Sequence, residues 1–282
     1  MLLGFNLLLW TTHVADEHLP ILGELKRAGY DGVELPIFEG TPEHYARIGR
    51  AIREEGLRCT AVTVLPDEAR SALHPDPASR AGAVAHLRWA VDCLKAAGGE
   101  VLCGPFHQPL GTFTGEPPTR EERARLVEVH REATRYAEGQ GIRLSVEPLN
   151  RFECYVLNTV ADAAEVVRRV DRPNYGLLYD TFHANIEEKD PVGAIAPHLD
   201  RITHVHLSEN DRGTPGKGHV PWAPTLSTFK RGGYQGWFVI EAFGRALPAL
   251  AAATRVWRDF FPHREEVYRF GHDFLRETWA KA

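Results

Sequence analysis

Eight short apolar or alternating runs recur along the chain, at 2–9, 32–36, 59–65, 101–105, 143–148, 175–180, 202–208 and 237–243. Each has strand length and is followed by a longer stretch with the three-to-four-residue apolar spacing of a helix face. The helical stretches carry end signals. The stretch 78–97 stops at Gly98-Gly99, and 120–138 follows Thr119, a hydroxyl suited to capping free N–H groups, and stops at Gly139. The helix before the second run ends at Ala28-Gly29 and the one before the third at Glu55-Gly56.

Strands alternating with helices predict an α/β protein with parallel strands, either a closed barrel or an open doubly wound sheet. Two features favour closure. Eight units fit without remainder, and neither GxGxxG after the first run nor GxxxxGK[ST] occurs anywhere, so an open nucleotide-binding sheet lacks its marker. The expectation is therefore one (β/α)8 TIM barrel spanning residues 1–282 as a single domain. The proline-rich connections 105–109 and 116–118 follow the carboxyl end of the fourth run, where a barrel builds its site, and form a candidate lid or pocket wall.

Four consecutive runs end in a metal-ligand type. The fifth ends at Glu147, and Pro148 prevents it from continuing as a regular strand; the sixth ends at Asp180; the eighth delivers Glu241 after Phe238-Val239-Ile240. The seventh carries His204 and His206, two residues apart and so on one face. The separations from Glu147 to Asp180, His206 and Glu241 are successively 33, 26 and 35 residues, each matching one strand-helix unit. Any one such carboxylate is unremarkable, but four groups in one register form a site. Three carboxylates this close would repel unless a cation neutralised them, and a donor set of three carboxylates and one imidazole suits Mn²⁺ first, with Co²⁺, Mg²⁺ or Zn²⁺ also accommodated. His204, one layer deeper, is read as a hydrogen-bonded supporting group and left out of the set.

Composition acts by exclusion. With 43% hydrophobic and 25% charged residues and a net charge of −5, the chain offers no polycationic face for nucleic acid or an anionic membrane. The apolar start is too short to span a bilayer and lacks a basic leader region, so it reads as a buried first strand. Cys59, Cys93, Cys103 and Cys154 have no metal spacing and read as reduced packing residues of a cytoplasmic protein.

The blocks Glu147-Pro148-Leu149-Asn150-Arg151-Phe152-Glu153, Asp180-Thr181-Phe182-His183-Ala184-Asn185, His204-Val205-His206 through Glu209-Asn210-Asp211-Arg212-Gly213, and Val239-Ile240-Glu241-Ala242-Phe243 resemble the ketose 3-epimerases, the D-tagatose and D-psicose 3-epimerase family of the xylose-isomerase-like barrels. The resemblance implies a metal held by Glu147, Asp180, His206 and Glu241. It also implies proton exchange at C3 of a small ketose by Glu147 and Glu241 through an enediolate, and sugar contacts from Glu153, His183 and Arg212. On this reading His183 and Arg212 hold the C1 end and Glu153 orients Glu147 by a hydrogen bond. Trp10 and Glu34 fall where the family would place them, whereas the loop 104–115 departs from its pattern and leaves the distal part of the substrate open. His107 in that loop reads as a packing or capping residue. Three alternatives remain: an aldose–ketose isomerase, an epimerase of a keto-glycoside or sugar phosphate, and a noncatalytic sugar-binding protein. A nuclease of the same barrel class would need more ligand histidines and a basic face. The aromatic stretch 256–279 is expected to pack within the chain, and a homodimer or homotetramer is left open.

Overall fold

The computed structural model describes residues 1–282, and the eight runs form eight parallel strands that close on themselves. They are β1 (Leu2–Asn6), β2 (Gly32–Pro36), β3 (Arg58–Val62), β4 (Val101–Gly104), β5 (Arg143–Val146), β6 (Tyr175–Asp180), β7 (Ile202–Leu207) and β8 (Trp237–Ile240), with β8 paired back to β1. The helices are α1 (Pro20–Ala28), α2 (Pro42–Glu54), α3 (Pro77–Ala97), α4 (Arg120–Gln140), α5 (Val160–Val170), α6 (Thr181–Glu187), α7 (Trp222–Arg231), α8 (Pro248–Thr254) and α9 (Gly271–Lys281). None is long and apolar enough to cross a membrane.

Several strands stop earlier than their apolar runs. After Asn6 the chain turns into a short 3₁₀ segment, Leu7–Leu9, because the Asn6 side chain accepts the Leu8 N–H at 2.9 Å. Likewise β3 ends at Val62 and β8 at Ile240, although Leu65, Ala242 and Phe243 beyond them stay buried. Helix α4 runs through Gly139 and ends at Gly141, whose φ of 73° supplies the left-handed turn; a side chain at Gly139 would face open space. Its start is a reciprocal cap between Thr119 and Glu122, as the hydroxyl at Thr119 predicted.

Strand alternation separates two apolar layers. Val205, Leu207, Phe238 and Ile240 point outward to the helices, while Val101, Cys103, Leu178 and Val239 fill the barrel. The amino-terminal mouth is plugged by Trp237, whose indole N–H donates to Glu100 at 2.8 Å and whose ring carries the Arg58 guanidinium at 5.0 Å. A Cβ on Gly32 would lie 2.6 Å from that ring. The carboxy-terminal stretch packs within the chain, Tyr268 against Trp10, Phe274 against Trp222 and Trp279 against Phe238, while Trp257 remains exposed.

Candidate active site

The parallel register aligns the strand ends into one rim. Asp180 is the register partner of His206, which in turn pairs with Val239. The Glu147 N–H donates to Gly104 O and the Glu241 N–H to Leu207 O, so each glutamate is pinned one residue past its neighbour's strand end. One ligand atom each from Glu147, Asp180, His206 and Glu241 lies within 4.8 Å of all the others, and all four residues are buried. His206 Nδ1 sits 3.4 Å from Glu241 Oε1, 3.8 Å from Glu147 Oε1 and 4.0 Å from Asp180 Oδ2, yet has no hydrogen-bond partner.

Charge crowding sets the proton affinities. Burial, with Glu241 and Asp180 adding to it against the pull of His206 and Arg212, holds the Glu147 carboxyl well above the usual range; burial likewise raises Glu241 despite His206 and Arg212. Burial would raise Asp180 too, but Arg212, His183 and His206 outweigh it and keep that carboxyl low. For His206, burial opposes the charged ring while Glu34 and Glu241 favour it, and its pKa is pushed up to about 10.

The other expected residues converge on the same place. Arg212 lies in the loop after β7 with a φ of 66°, its Nη1 donating to Asp180 at 3.0 Å and to Glu241 at 2.5 Å and its guanidinium over Phe182 at 3.9 Å. That loop is wound around Glu209, a fully buried carboxylate that accepts the N–H groups of Gly216, Val220 and the Trp222 indole at 2.8–3.0 Å. His183, on α6, accepts the Asn150 N–H at Nδ1, 3.0 Å away, and burial first, then Arg212, lowers its pKa to about 3. The neutral ring then carries its proton on Nε2, which stands 2.9 Å from Arg212 Nη2, so two donors face one point. Glu153 does not reach Glu147 as the sequence reading proposed. It accepts the Asn150 side-chain amide at 2.6 Å and lies 3.7 Å from His183, because Asn150 occupies the space between.

Below the rim lies a belt of which the sequence showed Glu34 and His204 as site neighbours and Cys103 only as a packing residue. Glu34 accepts His206 Nε2 at 2.7 Å and Asn6 Nδ2 at 3.0 Å on Oε1, and His204 Nε2 and Thr60 Oγ1, each at 2.8 Å, on Oε2. The Cys103 thiol also donates to Oε2, at 3.3 Å, so Cys103 is part of this polar cluster, whereas Cys59, Cys93 and Cys154 pack as buried thiols pushed up to about 12. Burial opposes ionisation of Glu34, but the two histidines reverse that and hold its carboxyl well below the usual range. The signal in the sequence was a lone carboxylate inside the apolar run 32–36. His107 is fully buried, its pKa lowered by burial to about 3, and it does not line the site cavity.

That cavity, about 70 Å³, has Glu147, Glu153, His183, Arg212 and Glu241 on one side and Leu8, Phe38, Val62, Val64, Leu110, Phe243 and Leu250 on the other. A larger cleft, about 760 Å³, opens at the opposite end of the barrel around Arg143 and Tyr234 and contains none of the candidate residues. Chemistry therefore belongs to the smaller, buried cavity.

Residues 22–278 match the xylose isomerase-like TIM barrel family. The chain is 32% identical to a probable ketose 3-epimerase of Synechocystis sp., over 98% of this chain and 96% of that protein. It is 32% identical to an L-ribulose 3-epimerase of Methylomonas sp., over 90% and 88%. The crystal structure of D-allulose 3-epimerase from Methylomonas sp. in complex with D-allulose superposes with a TM-score of 0.91 at 30% identity, covering 99% of this chain and 97% of that one.

Proposed function

Because the chain belongs to the ketose 3-epimerase family of xylose isomerase-like TIM barrels, we propose that this carbohydrate epimerase inverts C3 of a free ketose, assisted by a divalent metal held by Glu147, Asp180, His206 and Glu241. The observation that carries the metal is His206 Nδ1, a buried nitrogen without a partner that faces three carboxylates. Three oxygen donors and one imidazole fit Mn²⁺ first, then Co²⁺, Mg²⁺ or Zn²⁺. When bound, such an ion polarises the ketone and the adjoining hydroxyl and lowers the barrier to proton loss at C3 by several kcal/mol.

The protein's own groups supply the proton transfers. Glu147 and Glu241 arrive from β5 and β8, separated around the rim by β6 and β7, so one takes the C3 proton while the other returns one to the opposite face. His183 Nε2–H and Arg212 Nη2–H converge on one point, which an oxygen at the carbonyl end of the sugar satisfies better than the two donors satisfy each other. Asn150 fixes the His183 ring, and Glu153 holds Asn150.

The far wall narrows the substrate class. It consists of aliphatic and aromatic side chains with the single hydroxyl of Thr254, and the only cation lining the cavity, Arg212, is engaged by Asp180 and Glu241. A phosphate would find no free cation among the lining residues, the nearest other guanidinium being Arg255, which follows Thr254 and acts on Glu153, and this favours an uncharged sugar. Four free, buried cysteines agree with a reducing cytoplasmic setting.

The test is deuterium exchange. Metal-stripped and Mn²⁺-loaded protein are incubated in D₂O with free ketoses, ketose phosphates and keto-glycosides, and label position and product are read by NMR. Metal-dependent label at C3 of a free ketose, with its C3 epimer appearing, supports the proposal. Label at C1 or C4 reassigns the enzyme to isomerisation or another epimerisation, and absence of exchange on every substrate overturns it.

A further inference from the structure

The barrel divides its labour by strand. All four proposed ligands come from β5–β8, whereas β1–β4 carry the belt around Glu34: Asn6 at the end of β1, Glu34 within β2, Thr60 in β3 and Cys103 in β4. Asn6 is the register partner of Glu34, and Glu34 of Thr60, so the belt is a lateral row across neighbouring strands. Glu34 has no exposed surface, and five donors fill its two oxygens. Burying a carboxylate costs several kcal/mol that a packed leucine or valine would avoid, so folding alone gives no reason for it.

We propose that Glu34, acting together with Asn6, is a positioning residue for metal capture: it holds the His206 ring by Nε2 so that Nδ1 is presented to the carboxylates. The inference rests on the metal reading above. Oε1 takes Nε2–H at 2.7 Å, which leaves Nδ1 as the nitrogen that would give up its proton to an arriving ion and bind it. Asn6 extends the same control to Glu241. Its Oδ1 is fixed by the Leu8 N–H at 2.9 Å, so the amide cannot flip, and its Nδ2 donates both to Glu34 at 3.0 Å and to Glu241 Oε1 at 3.1 Å. His204, Thr60 and Cys103 saturate Oε2 and keep the carboxylate from rotating away from His206.

A rival use of the same atoms is a second ion among Glu34, Cys103, His204 and His206, whose ligand atoms also cluster. The 2.7–2.8 Å contacts from both histidines to Glu34 are direct hydrogen bonds and argue for the positioning role.

The test is calorimetric titration of Mn²⁺ into the metal-stripped chain, comparing wild type, Glu34→Gln and Val33→Ala. Val33 neighbours Glu34 on β2 with its side chain on the opposite face, so its truncation controls for lost packing. One Mn²⁺ per chain, weakened 10–100-fold by Glu34→Gln and unchanged by Val33→Ala, is the expected result. Wild-type affinity in a folded Glu34→Gln protein overturns the positioning role and leaves the metal reading standing. Two ions per chain overturn it in favour of the rival, and no binding by the wild type removes both readings. Should Glu34→Gln fail to fold, ¹⁵N-histidine NMR of the Zn²⁺-loaded wild type decides: Nδ1 ligated with Nε2 protonated supports the inference, and ligation through Nε2 refutes it.

Discussion

Replacing Arg212 with methionine removes the only guanidinium from a pocket of carboxylates while keeping much of its apolar stem between Phe182 and Phe243. Asp180 and Glu241 are then buried without the cation that faces them at 3.0 and 2.5 Å. Breaking a buried pair in this way costs about 3–5 kcal/mol. An unfolding entropy of about 2.1 cal/mol/K per residue over 282 residues gives roughly 0.6 kcal/mol/K, so the metal-free variant should melt about 5–8 °C below wild type. The pH dependence has a definite sign. Losing Arg212 raises the native proton affinity of these carboxylates above that of the unfolded chain, so the native variant binds more protons and its stability falls as pH rises. The deficit should be largest near pH 8 and shrink toward pH 5. Saturating Mn²⁺ should narrow it, since the ion replaces the missing positive charge. Calorimetric melting at both pH values, with and without metal, reads all three effects. A metal-free variant melting within about 2 °C of wild type at pH 8, or a deficit that grows on acidification, would falsify the reasoning.

In Glu147→Gln and Glu241→Gln proteins, epimerisation should fall about 10²–10⁴-fold, with each variant still exchanging the C3 hydrogen of one epimer only; full epimerase activity in Glu241→Gln sinks the two-base assignment. His130, held neutral by burial with a pKa near 4 while donating to Phe106 O at 3.0 Å and accepting the Tyr175 hydroxyl at 2.5 Å, should make the protein acid-sensitive. The unfolded chain takes up its proton near pH 6.5 and the native one only near 4, so about 3 kcal/mol should be lost across that window; urea unfolding of wild type and His130→Gln should show a shallower slope in the variant. Gly49→Ala in α2 would set its Cβ 2.1 Å from the Ala97 carbonyl, and the helices must part at a cost of about 1–3 kcal/mol; a wild-type melting temperature would show that this contact is not limiting.

The barrel was legible because its strands are buried on both faces and read as apolar runs of strand length. That signal reports burial, not ladder hydrogen bonds. Residues 7–9, Leu65, Ala242 and Phe243 are apolar because loops fold back over the barrel mouth, and the sequence therefore extended the strands into them. Gly139 misled for a related reason. Glycine disfavours a helix by about 1 kcal/mol, yet only Gly141 takes the positive φ that ends α4.

The site divided along a different line. A carboxylate that ends an apolar run is visible one strand at a time, so Glu147, Asp180 and Glu241 could be read without knowing what lay beside them. Asn6, Thr60 and Cys103 matter through a neighbour on another strand, and their pairing depends on lateral register that no single run encodes. His204 and His206 show the limit most clearly. Their two-residue spacing put both on one face, and in the structure both bond Glu34 through Nε2. Only depth separates them: one pleat, about 7 Å along the strand, carries the His206 Nδ1 up among three carboxylates and leaves the His204 Nδ1 below. A proposed ligand and its proposed supporting group can thus be the same residue type, with the same hydrogen bond, distinguished by which ring nitrogen the barrel leaves facing the rim.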